Sequence, residues 1–172
     1  PRSELMQSLL NIKIKKRESF RPFAPIVKLD KVNEWFETNY ESPYMSFVKE
    51  IKKNKRCKLN NSEDYKKLET KRSQIPAVTH VDFSARIQTV SKLQNYKLYE
   101  LLDEFEHITN CPVLINTSFN ERGEPIVCSI EDAYKCFMGT ELDILVCEDY
   151  ILYKEKQKKQ RSDDYKNKFD SD

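Results

Sequence analysis

Apolar and polar positions alternate along this chain in short segments, some with helical and some with strand periodicity. Leu5, Leu9 and Ile12, widened by Met6 and Leu10, recur at near-helical spacing and predict an amphipathic helix over residues 4–16. Pro22 and Pro25 then force an extended path, after which Ile26 and Val27 predict a strand. Asp30 stands where it would cap a short helix carrying Val32, Trp35 and Phe36. Strands are expected over 44–51 and over 75–78, the second leading into Thr79, His80 and Asp82 and pairing with 86–90. The clearest helix sets Leu98, Leu101, Leu102, Phe105 and Ile108 on one face against Asp103, Glu104 and Glu106 on the other, with Asn110 and Pro112 stopping it. Val113, Leu114 and Ile115 read as a buried strand, followed by a polar loop around Gly123 and a second apolar run at Pro125, Ile126 and Val127. Ser129 with Asp132 marks a helix start, Gly139 its end, and 142–146 with 150–153 a closing hairpin. Interleaved elements of this kind predict an α/β (α+β) domain with a mixed sheet.

Composition changes that picture in two places. Of the 172 residues, 38% are hydrophobic and 34% charged, a low and a high share, but the charge is concentrated in 52–73 and 154–172. The first segment reads as a solvated insertion loop and the second as a frayed helix or disordered tail, leaving 1–153 as the domain. The net charge of +2 gives no general case for a polyanion partner, so any basic site must be local. Five cysteines without a C-x-x-C pair are an incomplete disulfide framework, which favours reduced thiols and a cytoplasmic setting. No apolar run is long enough to span a membrane, and none is expected as a partner. A chain opening at Pro1 is expected to be a fragment or a processed form.

Three polar clusters carry the candidate chemistry. Lys15, Lys16, Arg17 and Arg21 suit phosphate oxygens, because guanidinium offers paired planar donors and ammonium a compact charge. They equally suit a solvated helix end whose cations complement the dipole. Thr79, His80 and Asp82, followed by Arg86 and Gln88, offer a general base or donor in His80 and a carboxylate that orients it or holds a cation. A histidine at a strand end also serves structure alone, and His107, on a polar helix face, does not complete a metal set. The loop of Asn116, Thr117, Ser118, Asn120 and Arg122 is either a ligand contact or a hydrogen-bonded corner. Neither G-x-x-x-x-G-K-[ST] nor G-x-G-x-x-G occurs, which argues against an ordinary P-loop or dinucleotide fold.

Taken in order, IKKRESFRPFAP at 14–25, Ser42-Pro43-Tyr44-Met45, AVTHVD at 77–82, ARIQTV at 85–90, NTSFN at 116–120 and GEPIV at 123–127 resemble the C-terminal domain of the NodU/CmcH-type O-carbamoyltransferases. The resemblance implies a YrdC-like fold, a twisted sheet around a concave basic cavity. It also implies ATP and carbamoyl phosphate as substrates, Mg2+ as the ion, and carbamoyl adenylate as the product. An N-terminal domain of the actin-like ATPase superfamily, expected to lie outside this chain and to hold its own metal, would pass the carbamoyl group to an acceptor hydroxyl. Lys15-x-Arg17 and Ser118-x-Asn120 are similar to the K-x-R and S-x-N signatures of YrdC-like proteins. On that basis Lys15, Arg17, Arg86, Ser118 and Asn120 are expected to be catalytic. Arg21, Thr79, His80, Asp82, Gln88, Asn116, Thr117 and Arg122 are expected to bind substrate or nucleotide, with Asp82 as the Mg2+ contact. Phe83 stands where that family usually has Gly after the Thr-His-x-Asp motif, which puts the turn in question. A different class, a non-catalytic nucleotide- or RNA-binding module using the charged insertion, is the alternative, and a docking role with an empty cavity is the third reading.

Overall fold

The computed structural model describes residues 1–58 and 70–158. The centre of the expected insertion and most of the expected tail therefore lie outside the described residues. Contacts divide the chain into two compact units, Pro1–Gln7 with Phe20–Thr117 and Ser8–Ser19 with Ser118–Asp172. The first helix, α1 (Met6–Lys13), passes from one to the other.

The first unit is built on a mixed four-stranded sheet. Its strands are β1 (Ala24–Lys28), β2 (Phe47–Glu50), β3 (Ser84–Val90) and β4 (Val113–Asn116), in the order β2-β3-β1-β4. β1 runs parallel to β3, with Ile26 opposite Gln88, and antiparallel to β4, with Ala24 opposite Asn116 and Ile26 opposite Leu114. β2 pairs antiparallel with β3, setting Val48 opposite Arg86. β1 is buried along its whole length, as a central strand covered on both faces must be.

After the short α2 (Val32–Trp35), the main helix α3 (Tyr96–Thr109) covers part of one sheet face, where Leu98 and Leu102 meet Ile26, Val90 and Leu114. Asn95 caps it by accepting from Leu98 N at 3.0 Å. Asn110 ends it in the left-handed region (φ 54°), as expected of an Asn at this position. The expected apolar face is only half buried, since Leu101 and Ile108 are exposed. Buried Lys28 on β1 accounts for the rotation: its ammonium pairs with Asp103 and, at 2.6 Å, with Glu106, so these carboxylates share the inward side with Leu98 and Leu102.

Three further expectations are corrected here. Residues 75–78 form no strand; Pro76–Val78 is a 3-10 turn, closed by Val78 N to Ile75 O at 3.2 Å, with Pro76 at the helix start that suits it. β3 therefore takes β1 and β2 as partners. Asp30 caps nothing, because it lies within the 3-10 turn Leu29–Lys31 and accepts instead from the Tyr99 hydroxyl at 3.0 Å. The described ends of the insertion are solvated only in part: Lys53, Asn54, Lys58 and Lys71 are exposed, but Arg56 bridges to Ser73, and Arg72 and Ser73 are buried.

The second unit gathers α4 (Ile130–Gly139) and the hairpin β5 (Ile144–Cys147) and β6 (Tyr150–Tyr153). Ala133, Phe137 and Leu145 form its core, with Phe119, Val127 and Leu152 packed against them. Ser129 caps α4 as expected, accepting from Asp132 N at 3.1 Å. At the other end the Lys154 ammonium donates to the carbonyls of Phe137 and Thr140, the second at 2.8 Å, satisfying groups that a helix leaves open. The start of the expected tail is thus structured, with Lys154–Lys156 in a 3-10 turn. Pro125 to Val127 is not a strand, and Ile126 is exposed. Of the anticipated stripe, Leu5 just before α1 and Leu9 and Ile12 on it are exposed, whereas Asn11 and, just after the helix, Ile14 are buried. Asn11 is held inside because its Oδ1 accepts from Arg17 Nε at 2.6 Å and its Nδ2 donates to Ser19 O at 3.1 Å. Among the described residues no helix is long and apolar enough to cross a membrane.

Candidate functional site

In the second unit the chain leaves α1 through Lys16, which adopts the left-handed conformation (φ 46°) at a cost of about 1 kcal/mol for a residue with a Cβ. Backbone N–H groups of Lys15 and Arg17 reach back to the carbonyls of Leu10 and Asn11 at 2.9 and 3.0 Å. This turn brings two consecutive lysines to one loop. Lys16 pairs with buried Glu121 at 2.7 Å. Lys15 is itself buried, and its ammonium donates to Ser118 O at 2.9 Å, Ser118 Oγ at 3.2 Å, Asn120 O at 2.6 Å and Asn120 Oδ1 at 2.7 Å.

The loop supports that arrangement from its own side. Ser118 Oγ donates to Asn120 Oδ1 at 2.7 Å, and Asn120 Nδ2 donates to Glu124 O at 2.7 Å. Gly123 takes φ 77°, the reversal for which a residue without Cβ is suited, and Glu124 Oε2 receives Glu121 N at 3.0 Å. Burial, with the nearby Arg17 charge, pushes the Lys15 ammonium below its usual pKa, while Cys136 and Glu124 act the other way. Every oxygen touching it is formally neutral, so its positive charge stays uncompensated at contact range. Arg17 is half-buried and Arg122 exposed.

In the first unit the polar groups line one sheet face. Ser84, Arg86 and Gln88 alternate along β3 and so project to the same side, Arg86 into solvent. Gln88 donates to Pro43 O at 2.8 Å and accepts from Asn116 Nδ2, reaching across the small Ala24; the same Asn116 amide contacts Met45 Sδ at 3.6 Å. Ser42 fastens this segment, its N–H donating to Thr89 Oγ1 at 2.7 Å and its hydroxyl to Ile87 O at 3.0 Å.

The turn before β3 carries His80 and Asp82. His80 Nδ1 lies 3.0 Å from Ser84 Oγ, and Ser84 N donates to Asp82 Oδ1 at 2.9 Å. Phe83, at the position usually Gly in the resembling family, takes φ 65°, so the turn accepts the left-handed strain. The Arg56 guanidinium over its ring at 5.1 Å and the bond from Ile51 N to Phe83 O at 2.8 Å hold it there. Burial lowers the His80 pKa, with Asp82 opposing and Arg86 and Arg72 assisting, which keeps the imidazole mostly neutral near pH 7. Hydrogen bonds from Ser84 hold the Asp82 carboxyl below its usual range.

The structure thus brings Lys15, Ser118 and Asn120 into one contact set, Gln88 and Asn116 into a second, and His80 and Asp82 into a third around Ser84. Arg21 and Thr117 are exposed. Thr79 is spent on the fold, its hydroxyl donating to Ile75 O at 2.8 Å and meeting Ser73 Oγ at 2.7 Å. Sequence reasoning missed Ser84, Asn11 and Glu121. An Asp two residues before a Ser is an available turn signal for Ser84, and an Asn within an apolar helix stripe is one for Asn11. Among the described residues no three His, Cys, Asp or Glu side chains gather as metal ligands. An ion at Asp82 would therefore bring most of its ligands with it, as Mg2+ does with phosphates and water.

The family described as Carbamoyltransferase C-terminus matches residues 1–154. The chain is 52% identical over 167 residues to Uncharacterized protein sll1178 of Synechocystis sp., covering 95% of this chain and 27% of that protein. It is 40% identical to Nodulation protein NolNO of Sinorhizobium fredii over 90% of this chain and 21% of that protein. It is also 40% identical to Nodulation protein U of Bradyrhizobium diazoefficiens over 72% of this chain and 19% of that protein. The chain spans roughly a fifth to a quarter of the length of these curated relatives.

Proposed function

Because the chain belongs to the carbamoyltransferase C-terminus family, we propose that it binds ATP and carbamoyl phosphate and makes carbamoyl adenylate for transfer by a further domain to an acceptor hydroxyl. In balance, carbamoyl phosphate, ATP and water give carbamoyl adenylate, phosphate and pyrophosphate. The observation that favours this reading is the contact of Lys15 with Ser118 and Asn120 across 103 and 105 positions of sequence, which joins the K-x-R and S-x-N segments.

In the second unit, Lys15, Arg17 and Arg122 neutralise phosphate charge, and the Ser118 to Asn120 segment orients the carbamoyl or α-phosphate group. In the first, Arg86 is assigned a phosphate contact, while Gln88 and Asn116 offer a fixed amide pair. Neutral His80 and ionised Asp82 complete the polar groups there. Magnesium arriving with ATP would be held by Asp82 and would shield the phosphate charge. Catalysis then rests on positioning and charge stabilisation, without a covalent enzyme intermediate.

Carbamoyl-phosphate-dependent incorporation of labelled pyrophosphate into ATP tests the reaction. A charge-assisted contact is worth about 1.5–3 kcal/mol, so Arg17→Ala or Arg122→Ala is expected to slow this exchange about tenfold to a hundredfold. Unchanged exchange in both variants would remove the two arginines from the reaction. The polyanion-binding alternative drew on cations of the 52–73 segment, but Arg72 is buried and donates to Thr79 O at 3.1 Å, which withdraws it from any such surface.

A further inference from the structure

We infer that Lys15 is a positioning residue: its ammonium builds the backbone and side-chain geometry of the 118–120 loop and does not touch a phosphate oxygen. An ammonium has three N–H groups and no acceptor. Four oxygens already surround this one, at 2.6 to 3.2 Å, so its donor capacity is exhausted within the protein. It is also only 6% exposed. A fifth oxygen would have to displace one of the four and leave a half-buried acceptor unpaired, a loss comparable with the bond gained.

The partners are tied in the same way. Asn120 Oδ1 receives both Lys15 and the Ser118 hydroxyl, and Asn120 Nδ2 is held by Glu124 O. Lys15, Ser118 and Asn120 therefore hold one another in place, with one Asn120 N–H and the exposed side of Ser118 left for a ligand, and the loop is shaped before any substrate arrives. Pre-shaped loops favour catalysis because the ordering cost is met during folding and not during binding. Lys15 still contributes its charge to the loop at close range, since none of its contacts is an anion. Within this unit, direct contact with phosphate falls to the guanidinium groups of Arg17 and Arg122. That last division of labour rests on the proposed reaction; the positioning role itself does not.

Amide hydrogen exchange on the ligand-free chain tests the assignment. Lys15→Gln keeps much of the stem but loses the charge and one donor, and is expected to accelerate exchange at residues 118–124 at least about tenfold while leaving β1 and β3 protected. Lys15→Arg is expected to do the same, because a planar guanidinium does not fit a compact cage built for ammonium. A phosphate-contacting lysine predicts the reverse: unchanged exchange in the free chain, and recovery of pyrophosphate incorporation by Lys15→Arg, since arginine binds phosphate well. Either of those results overturns the inference. If the Lys15 variants do not fold, Asn120→Ala removes the acceptor shared by Lys15 and the Ser118 hydroxyl, together with the donor to Glu124 O, and is expected to expose the same amides; unchanged protection there overturns the inference as well. A wild-type chain without pyrophosphate exchange would remove the proposed reaction and leave the amide measurement to decide on Lys15.

Discussion

The surroundings of Lys28 and of Lys15 answer the same problem, a lysine 3% or 6% exposed, in opposite ways. Lys28 meets two carboxylates, Asp103 and Glu106, and its hydrogen bonds to them outweigh the burial that is its largest single influence, raising its pKa. Lys15 meets only neutral oxygens, and burial lowers its pKa. The Lys28 region spends its charge on fastening α3 to β1. The Lys15 region keeps its charge while using every N–H, so it can order a loop and still present a positive field. Paired ions in a fold point to anchoring; under the proposed function, the buried cation among carbonyl, hydroxyl and amide oxygens is the feature that would favour an anion.

Removing the anchor should give the largest change. Lys28→Ala leaves Glu106 half-buried without its main cation, and breaking a pair of this kind is expected to cost about 3 kcal/mol, less than for a fully enclosed pair because Asp103 is partly exposed. Urea unfolding of the two chains measures this. A loss below about 1 kcal/mol would place Lys28 with ordinary surface pairs and erase the contrast.

The next effect is in pH. Asp103 titrates below its ordinary 3.8 because Lys28 holds the carboxylate, so its stabilisation is complete above about pH 4 and is lost as pH falls through the depressed folded value. Asp82 and Asp132, also depressed by hydrogen bonds from Ser84 and Ser129, share that acid limb. Lys28→Ala is therefore expected to flatten it in part, and Lys15→Gln to leave it alone. On the alkaline side the two lysines oppose each other. The raised Lys28 contributes fully below 10.5 and is lost above it, whereas the lowered Lys15 binds fewer protons folded than unfolded as pH approaches 10.5, so its contribution rises with pH. Denaturant midpoints from pH 3 to 12 decide both signs.

The smallest expected effects sharpen the comparison by showing what ordinary helix fastening is worth. Asn95→Ala at the start of α3 and Ser129→Ala at the start of α4 each remove one cap bond and should cost about 1 kcal/mol. If Asn95→Ala matched Lys28→Ala, α3 would be held by its cap as much as by its ion pairs, a result the same urea series would show.

Much of the architecture was legible because its signals are local. Asn110 before Cys111 and Pro112 marked the end of α3, Ser129 with Asp132 opened α4, and the apolar run at 113–115 became β4. The misreadings share a different cause, the choice made by a distant partner. Leu101 lost its place on the inward face because Lys28 drew in Asp103 and Glu106, and Asn11 took a buried position because Arg17 and Ser19 close on it. Residues 75–78 are apolar enough for a strand, but Pro76 starts a helical turn there and Thr79 ties it to Ser73. Of the candidate site, the residue types were legible but not their contacts. Lys15 read equally as a solvated helix end, since the oxygens that enclose it stand more than a hundred positions away.

Lys16, turned left-handed between Lys15 and Arg17, has a consequence for how this segment can vary. The reversal lets adjacent side chains serve one loop, Lys15 at Ser118 and Asn120 and Lys16 at Glu121, before Arg17 returns to Asn11. One residue more or fewer between Ile14 and Arg17 would hand each of these tasks to the wrong neighbour. The stretch works as a spacer of fixed length, in which a substitution disturbs one attachment but an insertion or deletion would unpick three at once.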